Sequence, residues 1–300
     1  MPTIEWQSPL LRAHPLVGQI FDVQRGVVST EQELITAARA SRYVLLGEQH
    51  DNADHHVRQA AVVRATLGHG RTPALAFEMF DVSDQPAIDA YFNGNPTDAF
   101  GLGAAVGWEQ KGWPSWPMYA QIVQAGIREK ARIVGANLPR SEVMGAAKSG
   151  SVLVDGESRP LPELPPDQVE AMKEEMFNAH CQHLPKEMMG MMASAQIARD
   201  VTLAHRAITA DQGDGTILIA GNGHARTDRG VPWHLRNQGV KGSILSVGFL
   251  EVQEGALDPK RYGDDGAPPP YDFVWFTPGW DRGDPCEEFG DKKPQAVSNR

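Results

Sequence analysis

Two apolar runs, each closed by a G-x-x-H tetrapeptide, set the terms for what this chain can fold into. The first, Ser41-Arg-Tyr-Val-Leu-Leu-Gly-Glu-Gln-His50, ends by delivering a carboxylate and an imidazole. The second, Thr216-Ile-Leu-Ile-Ala-Gly-Asn-Gly-His224, repeats the plan far downstream. Both runs are as long as a buried strand and lack the alternation of a half-exposed one, so they read as central strands of a parallel sheet. The two histidines then stand just past strand ends. In open α/β sheets the crevice beyond the carboxyl ends of the strands is where ligands bind.

The rest of the chain supports that architecture. Ser29 to Ala40 opens with a hydroxyl residue and an acidic first turn, as helices do. After His50, the Asp51-Asn52 pair reads as a cap, with His55 and His56 on an exposed first turn of a helix running to Leu67. Thr72 to Phe80 is a second buried strand carrying Glu78 among Phe77, Met79 and Phe80. A carboxylate so placed needs a partner, because burying it alone costs several kcal/mol or forces it to take up a proton. Ala131 to Pro139 is a third strand, and Gly242 to Val252 and Tyr271 to Phe276 are two more.

Between these strands lie a Trp- and Gly-rich segment, 95–118, and a long helical region with its lead-in, 160–208, which are read as a lid over the crevice. Ser151 to Pro166 reads as a proline-rich connector. Residues 1–28 form a lead-in, 29–278 a single α/β domain, and 279–300 a disordered tail. The fold class expected is a three-layer α/β/α sandwich with a mostly parallel central sheet and a helical, Trp/Gly-rich lid.

Composition excludes some functions. A net charge of −10 without a cluster of Lys and Arg opposes a general role in nucleic-acid binding. Cys181 and Cys286 are too few for a disulfide scaffold or a four-cysteine zinc site. No signal peptide, lipobox or spanning segment is expected from this sequence.

Two histidines in matched settings, with Glu48 and Glu78 on neighbouring elements, form a set that suits a divalent metal such as Zn, Mn or Fe, held by His50, Glu78 and His224. The same set suits a metal-free acid/base site in which a carboxylate orients an imidazole. Asn222 and Arg226 flank His224 and offer donors that would orient it or bind an anionic group. His180 and His183 are three apart and share a face if helical. The cluster Met188, Met189, Met191 and Met192 reads as core, and equally as a wall for a flat apolar ligand.

The strings Leu45-Leu-Gly-Glu-Gln-His-Asp-Asn52, Ala76-Phe-Glu-Met-Phe80, Ala220-Gly-Asn-Gly-His-Ala-Arg226 with Gly230-Val-Pro232, and Tyr271-Asp-Phe-Val-Trp-Phe-Thr-Pro278 together resemble the ChaN-like family of haem-binding proteins. That family is similar to a wider group including the Tiki and TraB proteins and the erythromycin esterases. The resemblance implies an α/β/α core, haem as cofactor, and a homodimer with haem at its interface. It also implies a periplasmic or membrane-associated setting, although the chain shows no lipobox. By the Tiki pattern, His50, Glu78, His224 and Arg226 would serve metal-dependent proteolysis. By the esterase pattern, Glu48 and His50 would hold the catalytic base, though the loop here is one residue shorter. Haem iron in such proteins is held by Tyr or His, and the candidates are Tyr91, Tyr119, His55, His56, His180 and His183. The leading expectation is a haem-binding or iron-uptake-linked protein; the alternative is a metal-dependent hydrolase.

Overall fold

The computed structural model describes residues 5–283 and 286. The chain opens with a hairpin, β1 (Ile20–Asp22) and β2 (Val27–Ser29), followed by α1 (Glu31–Ala40). A reciprocal capping box starts α1: Thr30 Oγ1 accepts from the Glu33 N–H at 3.2 Å, and the Glu33 carboxylate accepts from the Thr30 N–H at 3.0 Å. Next come β3 (Tyr43–Glu48), α2 (Ala53–Thr66), β4 (Ala74–Asp81), α3 (Gln85–Gly94), α4 (Leu102–Ala105), α5 (Trp116–Arg128) and β5 (Ile133–Asn137). After α6 (Arg140–Ser149), a small hairpin pairs β6 (Ser151–Val154) with β7 (Glu157–Pro160), and the helices α7 (Pro166–Ala179) and α8 (Lys186–Ala210) follow. The chain returns through β8 (Thr216–Gly221), α9 (Asn222–Ala225), α10 (Val231–Asn237), β9 (Ile244–Glu251) and β10 (Phe273–Thr277).

Eight strands make one sheet in the order β2-β1-β10-β9-β3-β8-β4-β5. Six strands, β10 through β5, run parallel, and the β1–β2 hairpin adds an antiparallel edge. Both G-x-x-H strands are central and adjacent, with Gly47 opposite Ala220 and Glu48 opposite Gly221. Side chains alternate across the sheet with the strand period of two. Val44, Leu46, Leu75, Phe77, Ile217 and Ile219 enter one core, closed by α1, α2 and α5. Tyr43, Leu45, Ala74, Ala76, Leu218 and Ala220 enter a second, which takes in residues of the end of α8 and of α10. Both faces are therefore covered, which is why these strands read as unbroken apolar runs. Each fully buried Leu or Phe in them contributes about 2 kcal/mol.

At the free edge, the Gln85 side chain stands in for a missing strand. Its Nε2 donates to the Ile133 carbonyl at 3.0 Å and its Oε1 accepts from the Gly135 N–H at 2.9 Å. The outer ladder groups of β5 are thereby paired rather than left as a template for another chain.

The chain divides into two compact units, 1–137 with 203–280, and 138–202 with 281–300. The first holds the sheet and the Trp-rich 95–118 segment. The second holds α6, the β6–β7 hairpin, α7 and most of α8. Within it Cys181 and Cys286 form a disulfide, a single cross-link of two residues read as too few for a scaffold.

Several expectations need correction. The 151–166 connector is in part a hairpin, because Asp155-Gly156 adopts positive φ at both positions (51° and 81°), the type I′ geometry that joins twisted strands. Order continues past Pro278, since Gly279 pairs with Leu10; of the expected tail, 284, 285 and 287–300 lie outside the described residues. Among the described residues no helix is long and apolar enough to cross a membrane.

Candidate functional site

At the carboxyl ends of β3, β4 and β8 a set of acids and imidazoles converges. Glu48, the last residue of β3, is 1% exposed. Its Oε1 lies 2.8 Å from His50 Nδ1 and accepts from the Tyr119 hydroxyl at 2.8 Å. Its Oε2 faces His56 Nδ1 at 3.2 Å. His56 Nε2 lies 2.8 Å from the His50 carbonyl, which can only accept, so that nitrogen carries a hydrogen.

Glu78, on β4, forms the second half. Its Oε2 accepts from the Gly221 N–H at 2.7 Å, and its Oε1 lies 3.3 Å from His224 Nε2 and 3.9 Å from His50 Nε2. The His50 ring thus stands between two carboxylates, with Trp113 edge-on at 4.9 Å. Its side chain is 32% exposed, while Glu48, Glu78, His56, His224 and Tyr119 are buried.

The electrostatics follow from this packing. Burial pushes the Glu78 carboxyl up, but His224, His50 and the Gly221 N–H outweigh it and hold it down at about 2. Burial likewise opposes ionisation of Glu48, and His56 and His50 overcome it to place that carboxyl well below its ordinary range. For His50, burial disfavours the cation, yet Glu78 and Glu48 raise its pKa above the ordinary value. Burial, and then the Glu48 charge, drive the Tyr119 phenol far up, so it stays a donor.

The glycines of the two motifs act through closeness rather than through a turn. Neither has a positive φ. A Cβ on Gly47 would collide with Asn222 Oδ1, and one on Gly221 would lie 3.0 Å from His50 Nε2.

Of the residues singled out from sequence, the structure brings together Glu48, His50, Glu78 and His224. Tyr119 joins them, not as an open haem ligand but as a sealed partner of Glu48. Arg226 does not: its guanidinium turns to Asp228 and Asp264, at 2.7 and 2.8 Å, so it braces a loop. Asn222 fastens β8 to β9 through the Phe249 carbonyl at 2.7 Å. Tyr91 donates to Asp98 at 2.6 Å; burial, and then that carboxylate, raise its phenol to about 12.

The first turn of α2 is not exposed. Asn52 caps it, accepting from the Asp54 and His55 N–H groups, but Asn52, His55 and His56 are all fully buried. His55 is tied between the Gln49 N–H at 2.8 Å and Thr277 Oγ1 at 2.8 Å. His56 was therefore misjudged from sequence, where its spacing of six from His50 was the available signal.

In the second unit, His180 and His183 do not share a helical face. His180 is the cap of α7, and Cys181 and Gln182 both have positive φ (54° and 58°). Each imidazole is half-buried, and its Nδ1 lies 2.7 Å from a backbone carbonyl, Met176 for His180 and Cys181 for His183. Met189 is buried as core, whereas Met188 and Met191, three apart on α8, are 44% and 38% exposed. Among the described residues, no group of three or more His, Cys, Asp or Glu side chains is arranged to hold a metal ion.

Fold and site together define an α/β/α protein with a carboxylate–imidazole cluster built into the ends of its central parallel strands. The chain belongs to the family described as haem-binding uptake, Tiki superfamily, ChaN, whose model matches residues 34–235. Among solved structures it is similar to ChaN of Campylobacter jejuni, described as binding haem cofacially, with TM-score 0.68, 22% identity, and coverage of 85% of this chain and 95% of that one. An erythromycin esterase in its open conformation is similar at TM-score 0.40 and 13% identity, over 85% of this chain and 81% of that one. No curated protein matches the chain.

Proposed function

We propose that this protein binds haem, and that His180 supplies the axial imidazole. Membership of the haem-binding uptake family over residues 34–235 carries the reading. The donor chemistry of the second unit fits it. A neutral His180 that donates its Nδ1–H to the Met176 carbonyl leaves the Nε2 lone pair for a metal, the tautomer that ligating histidines use. Met188 and Met191 expose adaptable apolar surface suited to a porphyrin face. Lys186, placed over the Phe177 ring at 4.8 Å, offers a cation for a propionate.

Bound haem would supply an iron centre; the chain's own part would be to hold the ring with Met188 and Met191, offer the His180 imidazole and neutralise a carboxylate with Lys186. Tyr119 is sealed on Glu48 and Tyr91 is held by Asp98, so both phenols are committed to carboxylates. The metal-dependent hydrolase alternative asks His50, Glu78 and His224 to spare donors for one ion. Glu48 and Gly221 engage His50 Nδ1 and Glu78 Oε2 and leave His50 Nε2 and Glu78 Oε1, but among the described residues no group of three or more His, Cys, Asp or Glu side chains is arranged to hold a metal ion, so no observation favours that alternative.

Titrating purified protein with hemin should give a saturable Soret shift, weakened about tenfold or more in His180→Ala and unchanged in Tyr91→Phe. No saturable shift at micromolar hemin removes the haem reading. A shift unaltered in His180→Ala leaves haem binding standing and removes the ligand assignment.

A further inference from the structure

A cavity of about 510 Å³ opens beside the edge strand β5, lined by Asp89, Phe92 and Asn93 of α3, Pro96, Ile127 of α5, and Lys130 to Ile133. Ile133 is the first residue of β5, and its parallel neighbours end at the Glu48 cluster, so the cavity lies at the opposite end of the strands from that cluster. Its size falls within the usual range for small-molecule sites.

We propose that this cavity binds a small amphipathic carboxylate, its apolar body against Phe92, Ile127 and Ile133 and its anionic head between Lys130 and Arg132. Three observations carry the assignment. First, among the described residues neither Lys130 nor Arg132 has a carboxylate partner, in a chain whose net charge is −10. The acid in the lining, Asp89, accepts through Oδ1 from Gln85 Nε2 at 2.9 Å.

Second, Lys130 occupies a backbone position that favours glycine. It closes α5 with φ 60°, its N–H donating to the Ile127 carbonyl and the Ala131 N–H to the Gly126 carbonyl, both at 3.0 Å. This is the αL cap in which glycine is the usual residue. Lys130 therefore lines the cavity from a backbone conformation that costs a lysine more than a glycine.

Third, the lining holds no imidazole, phenol or thiol, so the site is unsuited to ligating haem iron or a soft metal. What remains is an apolar wall with two cations against the single carboxylate of Asp89, which is bonded to Gln85, and this balance favours an anion attached to an apolar group.

The test is calorimetric titration with decanoate, and with decanol as its uncharged counterpart, on the wild-type chain and on Lys130→Gly. Glycine suits the left-handed position, so this variant should melt at the wild-type temperature or above it. Decanoate should bind the wild type saturably, bind Lys130→Gly about tenfold more weakly, and outcompete decanol. The proposal is overturned by no decanoate binding to the wild type, by decanol binding equally well, or by equal decanoate affinity in Lys130→Gly. Hemin binding plays no part in these outcomes.

Discussion

Histidine serves two different ends in this molecule, and the surroundings decide which. At the ends of β3 and β8, His50, His56 and His224 lie against carboxylates and are mostly sealed from water. In the turn after α7, His180 and His183 are half-buried, each with Nδ1 on a backbone carbonyl. The first arrangement uses imidazoles to neutralise buried acids. The second, at His180, fixes a tautomer and leaves a donor atom for something else. A histidine near a strand end in a suggestive motif is thus not automatically the ligand-binding one.

That contrast can be broken most sharply by removing one member from each side. Glu78→Ala leaves His224 and His50 without their shared carboxylate and should destabilise the fold by about 3–5 kcal/mol in urea unfolding. The His180→Ala variant should change stability by no more than about 0.5 kcal/mol while weakening hemin binding. If Glu78→Ala is as stable as the wild type, the strand-end cluster is not structural and the division between the two regions fails.

A finer probe is Gly221→Ala. Its methyl group would press on His50 Nε2 from 3.0 Å and on the Glu78 carboxylate from 3.5 Å. An expected loss of about 1–3 kcal/mol follows from overpacking. Full wild-type stability would mean that the His50 ring can swing aside toward its exposed edge.

The smallest expected effect is a shallow dependence of stability on pH. Glu78 has a folded pKa below its ordinary 4.5, so its contribution is present above that value and is lost as pH falls toward about 2. His50 has a folded pKa above its ordinary 6.5, so its contribution is complete below that value and fades as pH rises through the folded one. Melting temperature should therefore be highest between about pH 4.5 and 6.5 and fall on both sides. In Glu78→Ala the acid-side fall should flatten. A wild-type profile without an acid-side decline would contradict the pairing of Glu78 with imidazoles.

Much of the architecture was legible because it rests on local pattern. Unbroken apolar runs closed by glycine marked β3 and β8 as central parallel strands, further apolar runs marked β4 and β5, and the hydroxyl residues at the start of α1 and Asn52 before α2 marked helix starts, the first one residue early because Thr30 rather than Ser29 is the cap. The β6–β7 hairpin was hidden by the surrounding prolines, although Asp155-Gly156 carried its turn signal. Around the site, Glu48, His50, Glu78 and His224 could be named from two motifs and one misplaced charge. Arg226 turns from His224 to Asp228, only two residues on, and to Asp264, which is distant in sequence and belongs to a loop with no pattern of its own.

By itself, then, the sequence determined the parallel three-layer frame, the placement of both motifs at strand ends and the need of Glu78 for a partner. Each follows from periodicity, glycine placement or the cost of an unpaired charge, all of which act over a few residues. Tertiary structure alone decided that His56 and Tyr119 close over Glu48, that Arg226 faces away, and that Lys130 and Arg132 stand unpaired beside a cavity. Those outcomes depend on which side chains from remote segments arrive within about 3 Å of one another, and hydrogen bonds of that length are set by packing rather than by local pattern.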